Sequence, residues 1–254
     1  MDVLREIIGR KRERVAEAKE RVPLGKVKNR QTPHALRAAL SADGINIIAE
    51  FKRRSPSKGV IRTDANLSQI VKSYEAGGAV AISVLTEEDY FDGSLDDLRT
   101  VKTTVELPVL RKDFVFDEYQ VYESAVARAD AILLIVAALD DETLSRLRRL
   151  AEDELGLDAL VEVHTSDEMK RAAAARATLI GVNNRDLRTF EVSLQTSLSL
   201  AREAPSEALL ISESGLRGPD DLRRLREVGY HGFLIGETLM RAGNPEQALR
   251  DLRQ

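Results

Sequence analysis

The chain of 254 residues contains no cysteine, no long hydrophobic run and no linker rich in proline or serine. The absence of cysteine excludes disulfides and thiolate metal sites, and it fits an intracellular protein. The longest uninterrupted apolar run, residues 131–139, is nine residues long. A membrane-spanning helix needs roughly 20 such residues. No signal-peptide pattern opens the chain either, so we expect a cytoplasmic protein that does not bind membranes.

The composition is that of a folded protein with a small negative charge. Hydrophobic residues make up 43% of the chain and charged residues 31%, which is too apolar for disorder and sufficient for a large core. The net charge of -4 argues against nucleic-acid binding, although residues 1–30 carry ten Lys or Arg against five Asp or Glu. We interpret this segment as an amphipathic helix with a solvated charged face, because no aromatic residues are interleaved for base stacking. Its apolar positions recur at helical spacing: Leu4, Ile7, Ile8, Val15, Ala18 and Val22.

Eight short apolar segments, each followed by a helix-like stretch, recur from residue 45 to the C-terminus. They are residues 45–51, 79–85, 107–111, 130–136, 157–163, 177–183, 208–213 and 230–236. Their starts lie 20 to 34 residues apart, which leaves room for one helix and two short loops in each interval. The series predicts an α/β protein in which residues 45–254 close into a (β/α)8, or TIM, barrel.

The residues before the first strand predict a helical extension, residues 1–44, with helices near 2–21 and 33–41. Because no linker separates this extension from the barrel, we expect one domain over residues 1–254. An open doubly wound sheet is the alternative, but it usually has a glycine-rich turn after its first strand. Residues 52–59, which follow the first strand here, lack a dinucleotide-binding fingerprint.

The start of one helix is marked in the sequence after the fifth strand segment. Thr165 stands three residues before Glu168, which is the spacing of a capping box. We therefore expect each of these side chains to bind the backbone N–H of the other residue.

Most of the apolar segments end abruptly in a charged or amide residue. A parallel sheet buries both of its faces, so ionisable side chains are tolerated mainly at the carboxyl ends of strands, where α/β proteins bind ligands. The polar residues at these ends are Glu50, Lys52, Lys112, Glu162, Asn183, Arg185, Glu213 and Ser214. Any one of them could simply mark the point where a strand reaches solvent. As a set they favour one shared site, in which neighbouring acids and bases suit proton transfer in both directions.

The loops after the seventh and eighth strands have the signature of a phosphate site. They contain Ser214-Gly215 and Gly236-Glu237, and in many barrels the backbone N–H groups of these two loops bind an anion. The carboxylate of Glu237 would repel a phosphate, so we expect its side chain to point away and only its N–H to contribute. The simpler alternative is that both glycines are needed only for tight turns.

Seven segments in order carry a resemblance to one enzyme family. They read IAEFKRRSPS (48–57), SVLTE (83–87), YFDGS (90–94), LRKDF (110–114), LVEVH (160–164), GVNNRD (181–186) and SESG (212–215). The chain resembles indole-3-glycerol-phosphate synthase, the ring-closing enzyme of tryptophan biosynthesis, from about residue 45 to 241 and in its N-terminal extension. The resemblance implies a carbon-carbon lyase with a (β/α)8 fold and no metal or organic cofactor. Its phosphorylated small-molecule substrate, 1-(2-carboxyphenylamino)-1-deoxyribulose 5-phosphate, would become indole-3-glycerol phosphate with loss of CO2 and water.

The catalytic residues of the family can be placed by this resemblance. Lys112 matches the catalytic lysine and is expected to protonate the substrate ketone oxygen as an arene carbon attacks the ketone carbon. The resemblance places Glu162, Glu50 and Lys52 in the later proton transfers. Glu213 and Asn183 would orient the lysines and the sugar hydroxyls.

The resemblance also assigns residues to the three parts of the substrate. Its carboxylate would be held by Ser55, next to Pro56, and by Arg185. Its phosphate would be held by Lys52, Ser214, Gly215 and Gly236, with the N–H of Glu237. Its arene would contact Phe91, Phe114, Leu133 and Leu234, which are as readily interpreted as ordinary core residues.

Other interpretations stay open at the level of sequence. A different phosphate-binding barrel, such as a phosphoribosyl isomerase or an aldolase, or a non-catalytic barrel would share the fold. His34, His164 and His231 lack metal-ligand spacing, so we expect no metal site. We expect a monomer, and association with other enzymes of tryptophan biosynthesis stays open.

The chain departs from the family pattern at two helix ends. Residues 127–129 and 175–177 read Ala-Arg-Ala, where a glycine commonly ends the helix. Both lie at the barrel end opposite the predicted chemistry, so the departure bears on local stability and not on the site.

Overall fold

Eight parallel strands form a closed barrel in a computed structural model that describes residues 3–22, 33–62, 65–187 and 189–254. We name them β1–β8 in chain order: Asn46–Phe51, Ala81–Leu85, Val109–Lys112, Ala131–Ile135, Asp158–Val163, Leu179–Asn183, Leu209–Glu213 and Tyr230–Ile235. Each pairs with its neighbours in sequence, and β8 closes the ring on β1 through pairs such as Ile48 with Leu234. The predicted (β/α)8 barrel is confirmed, and every strand lies within two residues of its predicted ends. The alternative of an open doubly wound sheet is excluded.

Helices alternate with the strands and cover the outside of the barrel. Named in chain order as α1–α11, they are Val3–Arg21, Ala35–Leu40, Leu67–Ala76, Leu95–Thr104, Glu118–Val126, Asp141–Arg149, Ser166–Ala174, Gln195–Leu200, Pro219–Glu227, Glu237–Arg241 and Pro245–Leu252. A short hairpin, Arg54–Ser55 paired with Gly59–Val60, follows β1. None of the helices in the described ranges is long and apolar enough to cross a membrane.

The barrel has two apolar layers because side chains alternate along each strand. Residues such as Ile47 and Ala49 of β1 face the surrounding helices, whereas Ile48 faces the interior. Aliphatic side chains from the strands fill that interior, and Leu36 and Leu40 of α2 pack against its lower end. The interior is therefore a packed core whose polar residues are confined to its two ends.

The N-terminal helix α1 differs from the predicted amphipathic pattern in two places. Its buried residues are Ile7, Lys11 and Val15, spaced four apart, whereas Val22 is exposed. Lys11 was expected on the solvated face, but its ammonium lies 2.9 Å from Asp113 Oδ1 and 2.6 Å from Glu88 Oε2. Burial of this lysine is tolerated because two carboxylates surround it. Residues 1, 2 and 23–32 of the predicted extension lie outside the described residues.

The capping box predicted at Thr165 is only half formed. The Thr165 hydroxyl accepts a hydrogen bond from the Glu168 N–H, as expected for an N-cap. The Glu168 carboxylate, however, accepts from the N–H of His164, one residue earlier than a capping box requires. Glu168 is thereby directed toward the carboxyl end of β5.

Candidate active site

A cavity of about 510 Å³ opens at the carboxyl ends of the strands. All seventeen residues that the sequence singled out as catalytic or substrate-binding line it. They are Glu50, Lys52, Ser55, Pro56, Phe91, Lys112, Phe114, Leu133, Glu162, Asn183, Arg185, Glu213, Ser214, Gly215, Leu234, Gly236 and Glu237. The closed barrel therefore brings these distant segments together around one space.

The alternation of side chains explains how the charged residues reach this space. Leu110, Leu160 and Ile211 point into the barrel core, and the residue two positions later on each strand points the same way. Those residues are Lys112, Glu162 and Glu213, each one layer nearer to the carboxyl end. In β1 the same step leads from Ile48 to Glu50.

Lys112 is the centre of the charged group at the cavity floor. Its ammonium lies 3.0 Å from Glu162 Oε2 and 3.0 Å from Glu213 Oε2, and all three side chains are largely buried. The ammonium of Lys52 makes a separate ion pair with Glu50 Oε1 at 2.7 Å. Two lysines and three carboxylates thus face each other across the floor of the cavity.

The protonation states in this group depend on burial and on neighbouring charge. Burial alone would lower the pKa of Lys112, but the carboxylates of Glu162 and Glu213 outweigh it and raise that pKa. Burial would raise the pKa of Glu162, but Lys112 and His164 hold it below its ordinary value. Burial raises the pKa of Glu213 to about 7, with repulsion from Glu162 acting in the same direction. The two carboxylates that share Lys112 therefore have pKa values shifted in opposite directions, which suits acid-base chemistry.

Glu213 keeps one oxygen without a partner. Its Oε1 is buried and accepts no hydrogen bond from any described residue. This oxygen lies against the backbone of Gly181, where a β-carbon would overlap with it. A side chain at this position in β6 would therefore displace the Glu213 carboxylate.

The two loops of the predicted phosphate site differ in backbone conformation and packing. Ser214 and Gly215 both adopt left-handed conformations, with φ of 67° and 76°, and the first is rare for a residue other than glycine. A β-carbon at Gly236 would overlap with the Glu50 carboxylate, so this glycine permits close packing and is not explained by a turn alone. The Glu237 carboxylate accepts a hydrogen bond from Arg241 Nε at 3.2 Å, one turn further along α10.

The cavity wall around the predicted arene contacts includes residues that the sequence did not reveal. The rings of Phe91 and Phe114 have centroids 6.2 Å apart, and Leu133 and Leu234 contribute to the same cavity. Val3, Leu4 and Ile7 of α1 also line it. The apolar stripe of α1 was visible in the sequence, but no local signal shows which part of the barrel it covers.

A buried carboxylate holds the loop that carries Phe91. Glu87 accepts hydrogen bonds from the N–H groups of Asp89, Tyr90 and Phe91. Burial raises the pKa of Glu87. The position of the Phe91 ring therefore depends on a side chain that sequence analysis did not single out.

Arg185 is positioned from both sides at the rim of the cavity. Its N–H donates to Asn183 Oδ1 at 3.0 Å, and its guanidinium Nη1 donates to the carbonyl of Phe190 at 3.2 Å. Both contacts leave other guanidinium N–H groups to bind an anion.

Comparison with known proteins gives matches over nearly the whole chain. The family model described as indole-3-glycerol phosphate synthase matches residues 4–252. Indole-3-glycerol phosphate synthase of Polaromonas naphthalenivorans (strain CJ2) is 47% identical over 99% of this chain and 98% of its own length. The protein of that name from Polaromonas sp. (strain JS666) is 48% identical, with the same coverage.

The fold is also found in solved proteins whose sequences are very different. The solved 3-hexulose-6-phosphate synthase of Salmonella typhimurium superposes with a TM-score of 0.64 at 13% identity, over 82% of this chain and 97% of that one. Such low identity supports the barrel fold alone. The family match over nearly the whole length is the stronger finding, and the chain belongs to the indole-3-glycerol phosphate synthase family.

Proposed function

We propose that this cavity closes the indole ring of 1-(2-carboxyphenylamino)-1-deoxyribulose 5-phosphate, with Lys112 as the acid of the first step. The observation that carries the proposal is the Lys112 ammonium, held at 3.0 Å by both Glu162 and Glu213 on the floor of the cavity. A lysine in this setting is protonated before substrate arrives. It can therefore donate a hydrogen bond, and then a proton, to an oxygen on which negative charge develops.

The first step forms a bond between the arene carbon that bears the carboxylate and the ketone carbon. The ketone π electrons move to oxygen, and Lys112 supplies the proton that makes it a hydroxyl. The C–COO⁻ bond then breaks, CO2 leaves, and its electron pair restores the aromatic ring. Because the Lys112 pKa is raised, we expect proton return from its carboxylate neighbours to be fast and the lysine to stay charged between turnovers.

The second half of the reaction removes water. The new hydroxyl leaves with a proton from an acid, and a base takes a proton from the neighbouring carbon so that the indole double bond forms. The Lys52–Glu50 pair and the Glu162 carboxylate lie on the same cavity floor and are our candidates for this acid and base. Asn183 and Glu213 would orient the lysines and the sugar hydroxyls.

Substrate binding follows the distribution of charge around the cavity. We assign the phosphate to Lys52 and to the loops of Ser214-Gly215 and Gly236-Glu237, and the carboxylate to Arg185 and to Ser55, next to Pro56. The aromatic ring would lie between Phe91, Phe114, Leu133 and Leu234, with α1 above it. The side chain of Glu237 is bonded to Arg241, which leaves its backbone N–H as its contribution.

The aldolase alternative disagrees with the electrostatics of the site. A Schiff-base lysine must lose its proton to act as a nucleophile. Two carboxylates, Glu162 and Glu213, keep Lys112 in its protonated form. No feature of the cavity favours a non-catalytic barrel.

The test is the appearance of indole fluorescence when purified protein meets the carboxyphenylamino sugar phosphate. We expect Lys112→Ala to lower kcat by about 10³-fold or more, the upper range for a general acid that also stabilises developing charge. Borohydride trapping should label no lysine. An unchanged rate in Lys112→Ala would remove our assignment of the acid, and covalent trapping at Lys112 would replace the mechanism.

We further infer a cytoplasmic, monomeric protein in which the extension and barrel unfold as one domain. The ion pairs of Lys11 with Asp113 and Glu88 tie α1 to the barrel and support a single unit. Sedimentation should give one species of 28.2 kDa, and urea unfolding one transition by both fluorescence and circular dichroism.

A further inference from the structure

His164 lies in the active site in a place that the reaction as described does not use. It follows the last residue of β5, and its ring sits between two carboxylates. Nε2 is 3.4 Å from Glu162 Oε1, and Nδ1 is 3.2 Å from Glu168 Oε2. The side chain is 11% exposed, and Nε2 has no hydrogen-bond partner among the described residues.

Glu168 is held firmly enough to orient this ring. The N–H of Glu168 is capped by the Thr165 hydroxyl, and its carboxylate also accepts the backbone N–H of His164 at 2.7 Å. A carboxylate fixed at Nδ1 keeps a proton on that nitrogen and leaves Nε2 facing Glu162. If Nε2 is also protonated, the ring is a cation placed between two anions.

The charges around the ring favour this imidazolium. Glu162 and Glu168 face it directly, Glu213 lies beyond Glu162, and Lys112 is the cation on the other side of Glu162. Burial lowers the pKa of His164, but the three carboxylates outweigh it and raise that pKa above its ordinary value.

We propose that His164 is a positioning residue, an imidazolium fixed by Glu168 that keeps the catalytic Glu162 ionised and turned toward Lys112. The proposal rests on the role suggested above for Glu162. The ring would not touch the substrate, so its effect on the rate is exerted through the Glu162 carboxylate.

The proposal has a consequence for the pH profile that packing alone would not produce. Without the imidazolium, Glu162 should protonate at a higher pH, so the acidic limb of the kcat/KM profile should shift to higher pH. For His164→Asn we expect a shift of about 0.5–1 pH unit. We also expect the rate at pH 7, where Glu162 stays ionised, to be roughly tenfold lower because the carboxylate is no longer turned toward Lys112. As the pH rises through the raised pKa of His164, the ring loses the charge that orients Glu162, so the wild-type protein should lose rate in a step that the variant lacks.

The decisive variant leaves the ring in place. Glu168→Gln can still accept the His164 N–H but removes the negative charge at Nδ1, so it should shift the same limb in the same direction by a smaller amount. Asp167→Asn is the matched control, because it makes the same charge change one residue away, on an exposed side chain that pairs with Lys170. The control should leave the profile unchanged.

A second readout does not require activity. The protein has three histidines, so imidazole NMR signals can be assigned with His164→Asn. We expect His164 to titrate above 6.5, and lower in both Glu168→Gln and Glu162→Gln. Titration at or below 6.5, or a pH profile of Glu168→Gln equal to that of Asp167→Asn, overturns the proposal. If the wild-type protein does not turn over the carboxyphenylamino sugar phosphate, the proposed function fails while the NMR titration still decides the charge of His164.

Discussion

The two ends of the barrel interior both bury polar side chains, but these side chains have different kinds of partner. At the amino-terminal end they bind mainly backbone groups. Asp158 accepts the Arg37 N–H at 2.9 Å, Asp130 accepts the Val109 N–H at 2.7 Å, and the two N–H groups of the Asn46 amide are shared among three carbonyls. These contacts fix α2 and the strand starts, so the polar groups there serve the fold.

At the carboxyl end the charged side chains bind mainly each other. Lys112 is shared by Glu162 and Glu213, Lys52 is paired with Glu50, and Glu213 Oε1 has no partner among the described residues. Such a group is poorly compensated for its burial, and its cavity is left open to a ligand. Buried charge in this barrel therefore serves the fold at one end, and under the proposed function it is arranged for chemistry at the other.

Replacement of one lysine at each end should separate these roles most clearly. Lys112→Gln should lower kcat by about 10³-fold, because the acid and its positive charge are both lost. Lys102→Gln removes the ammonium that lies 2.7 Å from Asp130 at the opposite end. We expect kcat to stay within about twofold there, and the free energy of unfolding to fall by about 2 kcal/mol.

Steady-state kinetics and urea unfolding of both variants measure this contrast. The comparison fails if Lys102→Gln loses activity while remaining folded, or if Lys112→Gln keeps it.

Two glycines provide a smaller version of the same contrast. A β-carbon at Gly181 would overlap with Glu213 Oε1, so Gly181→Ala should displace this carboxylate from Lys112 and lower kcat by about 10- to 100-fold. A β-carbon at Gly232 would lie 2.6 Å from Leu40 Cδ2, the flexible end of a core side chain. Gly232→Ala should therefore cost about 1 kcal/mol of stability and little activity. Equal kinetic losses in the two variants would contradict this assignment, and kcat with thermal unfolding decides between them.

We expect Glu213 to lower the stability of the folded protein at high pH. Its folded pKa of about 7 exceeds the ordinary 4.5, so the folded state binds this proton more tightly than the unfolded state. The resulting stabilisation is complete below pH 4.5 and is lost as the pH rises through 7. Glu213→Gln removes the titration, so we expect it to be about 1–2 kcal/mol more stable than wild type at pH 8, with little difference at pH 5. Urea unfolding at both pH values tests this, and a variant less stable than wild type at pH 8 would refute it.

The fold was predictable because its signal is local and repeated. Each strand is a short apolar segment, and the ring follows from eight of them at regular intervals. The candidate site residues followed from the same pattern. Both faces of a parallel sheet are buried, so charged residues such as Glu162 and Glu213 are tolerated mainly where a strand ends. The motifs around Lys112 then identified the family.

The remaining features depend on contacts between distant segments. Nothing near Lys11 in the sequence reveals that Asp113, about a hundred residues away, makes its burial tolerable. The capping spacing of Thr165 and Glu168 was visible, but the direction of the Glu168 carboxylate toward His164 was not.

The smallest predicted effect lies at the structural end of the barrel, where two helices end without glycine. Arg128 and Arg176 adopt left-handed conformations, with φ of 69° and 58°, at the places where the family commonly has glycine. A side chain in this region costs roughly 1 kcal/mol, part of which glycine regains, although glycine also makes the unfolded chain more flexible. Arg128→Gly and Arg176→Gly should each raise the free energy of unfolding by about 0.5 kcal/mol and leave kcat unchanged. Their effects should add in the double variant, because the residues follow different helices, α5 and α7. Chemical unfolding of the three variants beside wild type measures this, and a loss of stability would mean that the arginine side chains make contacts worth more than the backbone strain.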